Sequence, residues 1–154
     1  MKRLLACVLI GLLLLTGCTS THSRDGLTLS LPKDFEDLSG AAYAQGLTLL
    51  YGNESMALLG IREEKAPLAD RNLTLEDYAL LVLELNGIDA PVEQADGYYC
   101  FTYQAQAEQV QCTYLSVVLE DSENFWTLQA YCPSADFAKN RDTMWQILTS
   151  ATFE

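Results

Sequence analysis

The feature that most constrains this chain is an apolar run near its amino terminus. Leu4–Leu15 follows the basic pair Lys2 and Arg3 and contains no charged residue. A membrane-spanning helix needs about 20 apolar residues, so the run is too short to cross a bilayer. A basic head, a short apolar run and a small residue at the cleavage point are typical of a secretory signal. We therefore predict that residues 1–17 are removed and that residues 18–154 form the mature protein.

The end of the run, Leu15-Thr16-Gly17-Cys18, resembles the lipobox of bacterial lipoproteins. The resemblance implies cleavage before Cys18, a lipid thioether on its sulfur, acylation of the palmitate type, and anchoring in the cell membrane on the side facing away from the cytoplasm. Thr19 takes the place of the Asp that retains such proteins at the inner membrane, which implies the outer membrane in a two-membrane bacterium. The alternatives are an ordinary cleaved signal and an uncleaved anchor.

Charge excludes nucleic acid as a partner. The formal net charge is −12, and it becomes −14 when Lys2 and Arg3 leave with the signal. Such a chain repels phosphate backbones and anionic head groups, so membrane attachment has to come from the lipid. The remaining length is enough for one domain with its own core. We predict a flexible tether over 18–26, which is small and polar, and a single domain over 27–154.

Hydrophobic patterning predicts the secondary structure of this domain. Thr74 and Asp77 form a capping box that opens one helix, and Gly87 ends it; a second helix begins after Pro133. The order βββ-α-βββ-α, with helices after groups of strands, predicts an α+β fold in which an antiparallel sheet of about six strands is flanked by helices. The predicted strands are Leu27–Leu31, Tyr43–Tyr51, Met56–Arg62, Tyr98–Gln104, Gln111–Leu119 and Phe125–Cys132.

Three stretches of the domain resemble the PsbP/Mog-like fold, a grouping that includes small bacterial lipoproteins of the DcrB type. They are Leu29-Ser30-Leu31-Pro32, the helix opening Leu75-Glu76-Asp77-Tyr78, and Phe125-Trp126-Thr127-Leu128-Gln129 running through Cys132-Pro133-Ser134 to Phe137. The resemblance implies an antiparallel sheet flanked by helices. It also implies a role in binding or assembling other proteins, and it brings no shared active site or functional residues.

The single histidine limits the chemistry of the domain. His22 lies in the predicted tether, so the domain has no imidazole for a Ser-His-Asp or Cys-His arrangement or for a histidine-based zinc site. We therefore expect a protein that is not an enzyme and holds no cofactor or metal.

Three cysteines remain in the predicted domain, Cys100, Cys112 and Cys132. If the two hairpin turns are centred on Gln106 and Ser122, the three side chains face one another in a row across neighbouring strands. The row allows one disulfide, buried free thiols, or a redox or metal-thiolate cluster. A register slip of one residue removes the row, because alternate residues point to opposite faces.

Aromatic residues gather on the predicted central hairpin. Tyr99, Phe101 and Tyr103 alternate along one strand and therefore share one face. They either pack under a helix or form an exposed face for a ligand or protein partner.

These observations favour a lipid-anchored cell-envelope protein that binds or supports another envelope component. The first alternative is an accessory lipoprotein that handles a solute or metal through its acidic surface or its three thiols. A further alternative is a hydrolase that uses carboxylates distant in sequence.

Overall fold

The computed structural model of the chain describes residues 18–41 and 44–154, and the predicted signal peptide 1–17 lies outside them. The helices are α1 (Leu75–Asn86) and α2 (Phe137–Thr149), with 3₁₀ turns at Ala66–Arg71 and Ser134–Asp136. The strands are β1 (Thr19–Arg24), β2 (Leu27–Pro32), β3 (Glu36–Asp37), β4 (Leu49–Gly52), β5 (Ala57–Glu64), β6 (Glu93–Ala95), β7 (Tyr98–Ala107), β8 (Val110–Glu120), β9 (Asn124–Pro133) and β10 (Thr152–Phe153).

The strands form two antiparallel sheets. The larger one has seven strands in the order β3-β4-β5-β9-β8-β7-β6, and the smaller one has three in the order β1-β2-β10. The long strands β7, β8 and β9, which the sequence predicts, pair consecutively as an antiparallel meander. This is the predicted α+β architecture with antiparallel pairing, but the single predicted sheet is wrong for Leu27–Leu31, because β2 belongs to the separate smaller sheet. Short strands extend the edges of the larger sheet.

The main core lies on one face of the large sheet, here called the α2 face. The smaller sheet and α2 both pack against it. The strict alternation of β2 explains its place, because Leu27, Leu29 and Leu31 all point inward and are at most 2% exposed. Trp126 and Leu148 are completely buried in the same cluster. The core part of the α2 face is therefore closely covered by the smaller sheet and α2.

Helix α1 packs on the opposite face, here called the α1 face. Thr74 and Asp77 form the predicted capping box, and Gly87 ends the helix in a left-handed conformation with φ of 62°. Tyr78 and Val82 point into the protein, whereas Leu80 and Leu85 are 51% and 74% exposed. The apolar helix is therefore only partly buried.

The predicted flexible tether is wrong over Thr19–Arg24. These residues form β1, which pairs with β2 along its whole length from Thr19 opposite Pro32 to Arg24 opposite Leu27. Asp25 and Gly26 close this hairpin with φ values of 51° and 84°, the conformation for which Asp-Gly is favoured. The polar side chains of β1 suit a half-exposed strand, and the backbone bonds to β2 hold it in place.

The predicted strand over 43–51 is also shorter than expected. Tyr43 lies outside the described residues, and the observed strand begins only at Leu49. Gly46 has a φ of 87°, which is a left-handed conformation and not the extended conformation that a strand requires. The segment before β4 is therefore a turn and not a strand.

Candidate functional site

The three cysteines of the domain do not form the predicted row. Cys100 lies opposite Val117 in the β7–β8 pair, and Cys112 lies opposite Pro133 in the β8–β9 pair. Cys132 lies opposite Thr113, one residue from Cys112, so these two side chains point to opposite faces of the sheet. The register therefore separates the three thiols.

All three cysteines are buried free thiols. Burial raises the pKa of Cys100, as does the nearby Glu93 carboxylate, and burial likewise raises the pKa of Cys132. The Sγ atom of Cys132 lies 4.0 Å from Sδ of Met144 in the main core. The thiols thus behave as small apolar core groups. Within residues 18–41 and 44–154, no group of three or more His, Cys, Asp or Glu side chains is arranged to hold a metal ion.

The predicted aromatic face has two different parts. Tyr99, Phe101 and Tyr103 share the α1 face as expected, but Phe101 is 1% exposed and packs in the cluster under α1. Tyr99 and Tyr103 are half-buried against that cluster. Packing under a helix is therefore the outcome for Phe101, whereas Tyr103 lies where the cover of α1 ends.

Tyr103 begins a row of tyrosines that runs across three strands. The register places Tyr103 opposite Tyr114 and Tyr114 opposite Tyr131. Their rings stack with centroid distances of 4.8 Å and 4.7 Å, and all three side chains are half-buried. We call Tyr103, Tyr114 and Tyr131 the tyrosine row. Burial raises the pKa of Tyr114 to about 12, with its two tyrosine neighbours adding to the effect, so its hydroxyl stays protonated at neutral pH.

Polar side chains beside the row are held by hydrogen bonds. Gln129 is 9% exposed; its Nε2 donates to Oγ of Ser116 at 3.0 Å, and its Oε1 accepts from the Tyr103 hydroxyl at 3.4 Å. A buried amide without partners would cost free energy, so these bonds account for its place inside the sheet. The row and its polar neighbours are therefore held in place by contacts within the sheet.

An open cleft of about 780 Å³ lies between the C-terminal half of α1 and the sheet. Its walls are apolar at Ile61, Val82, Leu85 and Ile88, and its floor is polar at Gln129. The remaining lining residues are Glu63, Asn86, Gly87, Asp89, Tyr103, Gln104, Ala105 and Thr127. Tyr103 belongs to both the cleft and the tyrosine row, so the two form one continuous surface.

The electrostatics of the cleft favour positive charge. Glu63 and Asp89 are its charged lining residues, and neither Lys nor Arg lines it. The cleft also meets the C-terminal end of α1, where the helix dipole is negative. Glu63 accepts a hydrogen bond from the Tyr78 hydroxyl, which also contacts Oγ1 of Thr127 at 3.2 Å. Desolvation, reinforced by Glu63, raises the pKa of Tyr78, so that hydroxyl keeps its proton.

Cys18, the predicted lipidation site, and His22, the single histidine, both lie at or next to β1. Cys18 is exposed directly before β1, and its carbonyl oxygen accepts a hydrogen bond from the Lys33 backbone at 3.1 Å. His22 lies within β1, where Nε2 is 2.8 Å from Oγ of Ser20 and the ring makes a T-shaped contact with that of Tyr51.

Of the helices in the described residues, none is both long enough and apolar enough to cross a membrane.

Sequence reasoning found Tyr103 and placed Tyr114 on the same hairpin, but it missed Tyr131 and Gln129. A signal for them exists in β9, where Thr127, Gln129 and Tyr131 alternate with wholly apolar residues. Such alternation in a buried strand indicates one dry face and one face with polar contacts. The cleft itself has no such signal, because six of its lining residues come from α1 and the loop after it and the others come from strands distant in the chain.

Comparison with solved structures identifies the fold. The solution structure of the cyanobacterial PsbP protein CyanoP of Synechocystis matches 98% of this chain and 99% of its own, with a TM-score of 0.62 and 14% identity. A crystal structure from Bacteroides thetaiotaomicron matches 84% of this chain and 45% of its own, with a TM-score of 0.56 and 12% identity. LpqN of Mycobacterium tuberculosis, described as involved in cell envelope biogenesis, matches 87% and 89%, with a TM-score of 0.50 and 13% identity.

No protein-family model and no curated protein sequence matches the chain. At identities this low, the structural likeness concerns the backbone arrangement and carries no activity with it. The chain therefore has an α+β fold similar to that of PsbP-like proteins, as its sequence predicts.

Proposed function

We propose that this chain is a lipid-anchored protein of the bacterial cell envelope that acts by binding another envelope component, without catalytic turnover. The observation that carries the proposal is the half-covered α1 face. Beyond the end of α1, the tyrosine row and the cleft form a continuous surface of mixed polarity. Aromatic side chains held in place by stacking bind partners at low entropic cost.

The anchoring part of the proposal is supported by the resemblance of Leu15–Cys18 to a lipobox. Cys18 is exposed and immediately precedes β1, so acyl chains on its sulfur would hold the domain close to the bilayer. Two or more acyl chains give stable attachment where one is marginal. The fold similarity to LpqN, whose described role is in envelope biogenesis, agrees with this location.

Metabolic labelling with an alkyne analogue of palmitate tests the anchor. We expect the wild-type chain to be labelled and to sediment with membranes. Cys18→Ser is expected to lose the label and to be either released from the membrane or left unprocessed at the precursor mass. Cys7→Ser is the matched control, because Cys7 lies within the predicted signal, and this variant is expected to keep the label. Wild-type protein that matures without label, or Cys18→Ser protein that stays membrane-bound at normal mature mass, would contradict the anchor.

Photo-cross-linking in cells tests the binding surface. A benzophenone amino acid in place of Tyr103, at the junction of the row and the cleft, is expected to give an adduct of discrete mass. The same group in place of Gln146, an exposed residue of α2, is the control and is expected to give none. Equal adducts from both positions, or none from Tyr103, would contradict a binding role for this surface.

A further inference from the structure

Strand β7 has a free outer edge along most of its length. It runs from Tyr98 to Ala107, but its outer neighbour β6 pairs only with Tyr98, Tyr99 and Cys100. Among the described residues, no strand pairs with the outer side of 101–107. Alternate backbone N–H and C=O groups of this segment therefore point away from the sheet without a strand to receive them.

Within residues 101–107, strand β7 itself carries none of the devices that normally prevent pairing with another chain, although Val92, just before β6, packs against the cluster of Phe101. The β7–β8 register runs without a bulge from Tyr99 to Ala107. The exposed side chains along the free segment are Thr102, Gln104 and Gln106, which are polar but uncharged. Proline, lysine and bulges are the usual protections, and an unprotected edge is a template for an added strand.

The free edge opens into the cleft. Gln104 and Ala105 line the cleft from β7, and Ile88 and Asp89 line it from the loop that follows α1. A strand added along 101–107 would therefore lie in the mouth of the cleft. Alternate side chains of that strand would point toward Tyr103 and the apolar wall at Leu85, which is 74% exposed.

Charge identifies the kind of segment that fits. Glu63 and Asp89 supply negative charge to the cleft, the C-terminal end of α1 adds to it, and no basic residue lines it. A second copy of the mature chain would bring its own net charge of −14 to the same edge, so self-pairing is opposed by like charges.

We propose that the free edge of β7 is a strand-addition site for an extended, basic and partly apolar segment of a partner protein. Main-chain hydrogen bonds to 101–107 hold the segment, and its alternate side chains enter the cleft, as in other cases of recognition by β-augmentation. The proposal rests on the binding function proposed above and specifies the partner's chemistry and the way it docks.

A peptide binding assay on the full chain in detergent micelles tests this docking mode. The probe is a short capped peptide of alternating lysine and valine with a fluorescent label. Its twin, methylated on every peptide nitrogen, keeps the charges and side chains but lacks the N–H donors. We expect the probe to bind and the methylated twin to bind at least about tenfold more weakly. A glutamate–valine peptide is expected not to bind. Equal affinity of the probe and its methylated twin overturns strand addition.

Charge placed on the edge gives a second test. Thr102→Lys/Gln106→Lys introduces two positive charges along the free segment and is expected to weaken binding of the lysine–valine probe about tenfold. The matched control, Gln45→Lys/Gln146→Lys, adds the same charge at exposed residues elsewhere and is expected to change the Kd less than about twofold. Equal weakening by both variants overturns the edge as the site.

Hydrogen exchange keeps the proposal testable if the double variant folds poorly. In the wild-type chain, the lysine–valine probe is expected to slow exchange of amides within 101–107, with those of α2 unchanged. Unchanged exchange in 101–107 overturns the proposal. An adduct from position 103 in cells together with unchanged exchange would retain the binding function and reject strand addition, so the two failures are distinguishable.

Discussion

The two faces of the large sheet are built differently. On the α2 face, the smaller sheet and α2 cover an apolar layer that includes Leu58, Leu128 and Trp126, each completely buried. On the α1 face, one helix covers only Phe101, Val118 and neighbouring residues, and the rest carries the tyrosine row and hydrogen-bonded polar groups.

This difference suggests that the α2 face mainly stabilises the fold and that the open half of the α1 face mainly serves binding. A dry, close-packed layer contributes most of the free energy of folding, because stabilisation scales with the apolar area removed from water. Stacked rings and satisfied amides contribute less, but they leave a fixed surface with both apolar and polar contacts. We therefore expect substitutions on the α2 face to change mainly stability and those on the open half of the α1 face to change mainly binding.

The largest contrast is expected between two neighbouring leucines of β5. Leu58 points to the α2 face and is completely buried, whereas Leu59 points to the α1 face and is half-buried. Leu58→Ala is expected to lower the free energy of unfolding by about 2–5 kcal/mol, because a cavity remains in a packed core. Leu59→Ala is the matched control and is expected to cost about 1 kcal/mol. Urea unfolding measures both, and equal losses would remove the distinction between the faces.

The next effect concerns the buried amide of the α1 face. Gln129→Leu leaves the Ser116 hydroxyl buried without its 3.0 Å partner and is expected to cost about 1–3 kcal/mol. The double variant Gln129→Leu/Ser116→Ala removes both polar groups and is expected to regain most of that loss. A double-mutant cycle by urea unfolding measures the coupling, and strictly additive losses would show that the bond contributes nothing.

A smaller, pH-dependent effect is expected at the β8–β9 turn. Burial alone raises the pKa of Asp121, but hydrogen bonds from the Trp126 indole, the backbone of Glu123, and the side chain and backbone of Asn124 outweigh it and lower the value from 3.8 to about 2. The indole bond, 2.9 Å long, ties this turn to the core of the α2 face. A lowered folded pKa means that the ionised carboxylate stabilises the protein above pH 3.8 and that this contribution is lost as the pH falls through about 2.

Acid titration of stability checks this expectation. The wild-type urea midpoint is expected to fall more steeply below pH 3.8 than that of Asp121→Asn, which lacks the titrating group. Glu123→Gln, a change at an exposed neighbour in the same turn, is the control and is expected to follow the wild-type curve. Parallel curves for wild type and Asp121→Asn would show that Asp121 does not contribute in this way.

The smallest effect on stability is expected at the outer side of α1. Leu85 is 74% exposed at the cleft, so Leu85→Gln is expected to change the free energy of unfolding by less than about 0.5 kcal/mol. The same change removes an apolar contact from the cleft and is expected to weaken binding of the lysine–valine probe. Leu80→Gln, 51% exposed on the same helix and outside the cleft lining, is the control for binding. A large stability loss for Leu85→Gln would show that this residue belongs to the core.

Much of the fold follows from local signals in the sequence. The capping box at Thr74 and Asp77 and the terminal Gly87 set the two ends of α1, because each acts within a few residues. The long strands β7, β8 and β9 follow from alternation. Two hairpins were missed although both carry the Asp-Gly signal: Asp25-Gly26 before β2 and Asp96-Gly97 before β7, each with positive φ at both residues.

The register of the central hairpin has no comparable local signal. Its turn lies at Glu108 and Gln109, with φ values of 49° and 71°, and neither residue is one that such turns favour. A turn centred on Gln106 was therefore predicted, and Cys100 was placed opposite Cys112 instead of Val117. The observed register is fixed by contacts with other parts of the chain, because Phe101 packs under α1 and Cys100 packs against the main core.

The sequence by itself determined the class of the fold, the ends of α1, the long strands and the resemblance of Leu15–Cys18 to a lipobox. These depend on side-chain period, caps and short motifs, which act between near neighbours in the chain. Only the tertiary structure decided that the thiols stay apart, that β1 is a strand, and that β7 keeps a free edge beside an open cleft. Those outcomes depend on how segments far apart in the chain pack against one another. Alternative packings differ in long-range contacts, and no local sequence pattern specifies such contacts.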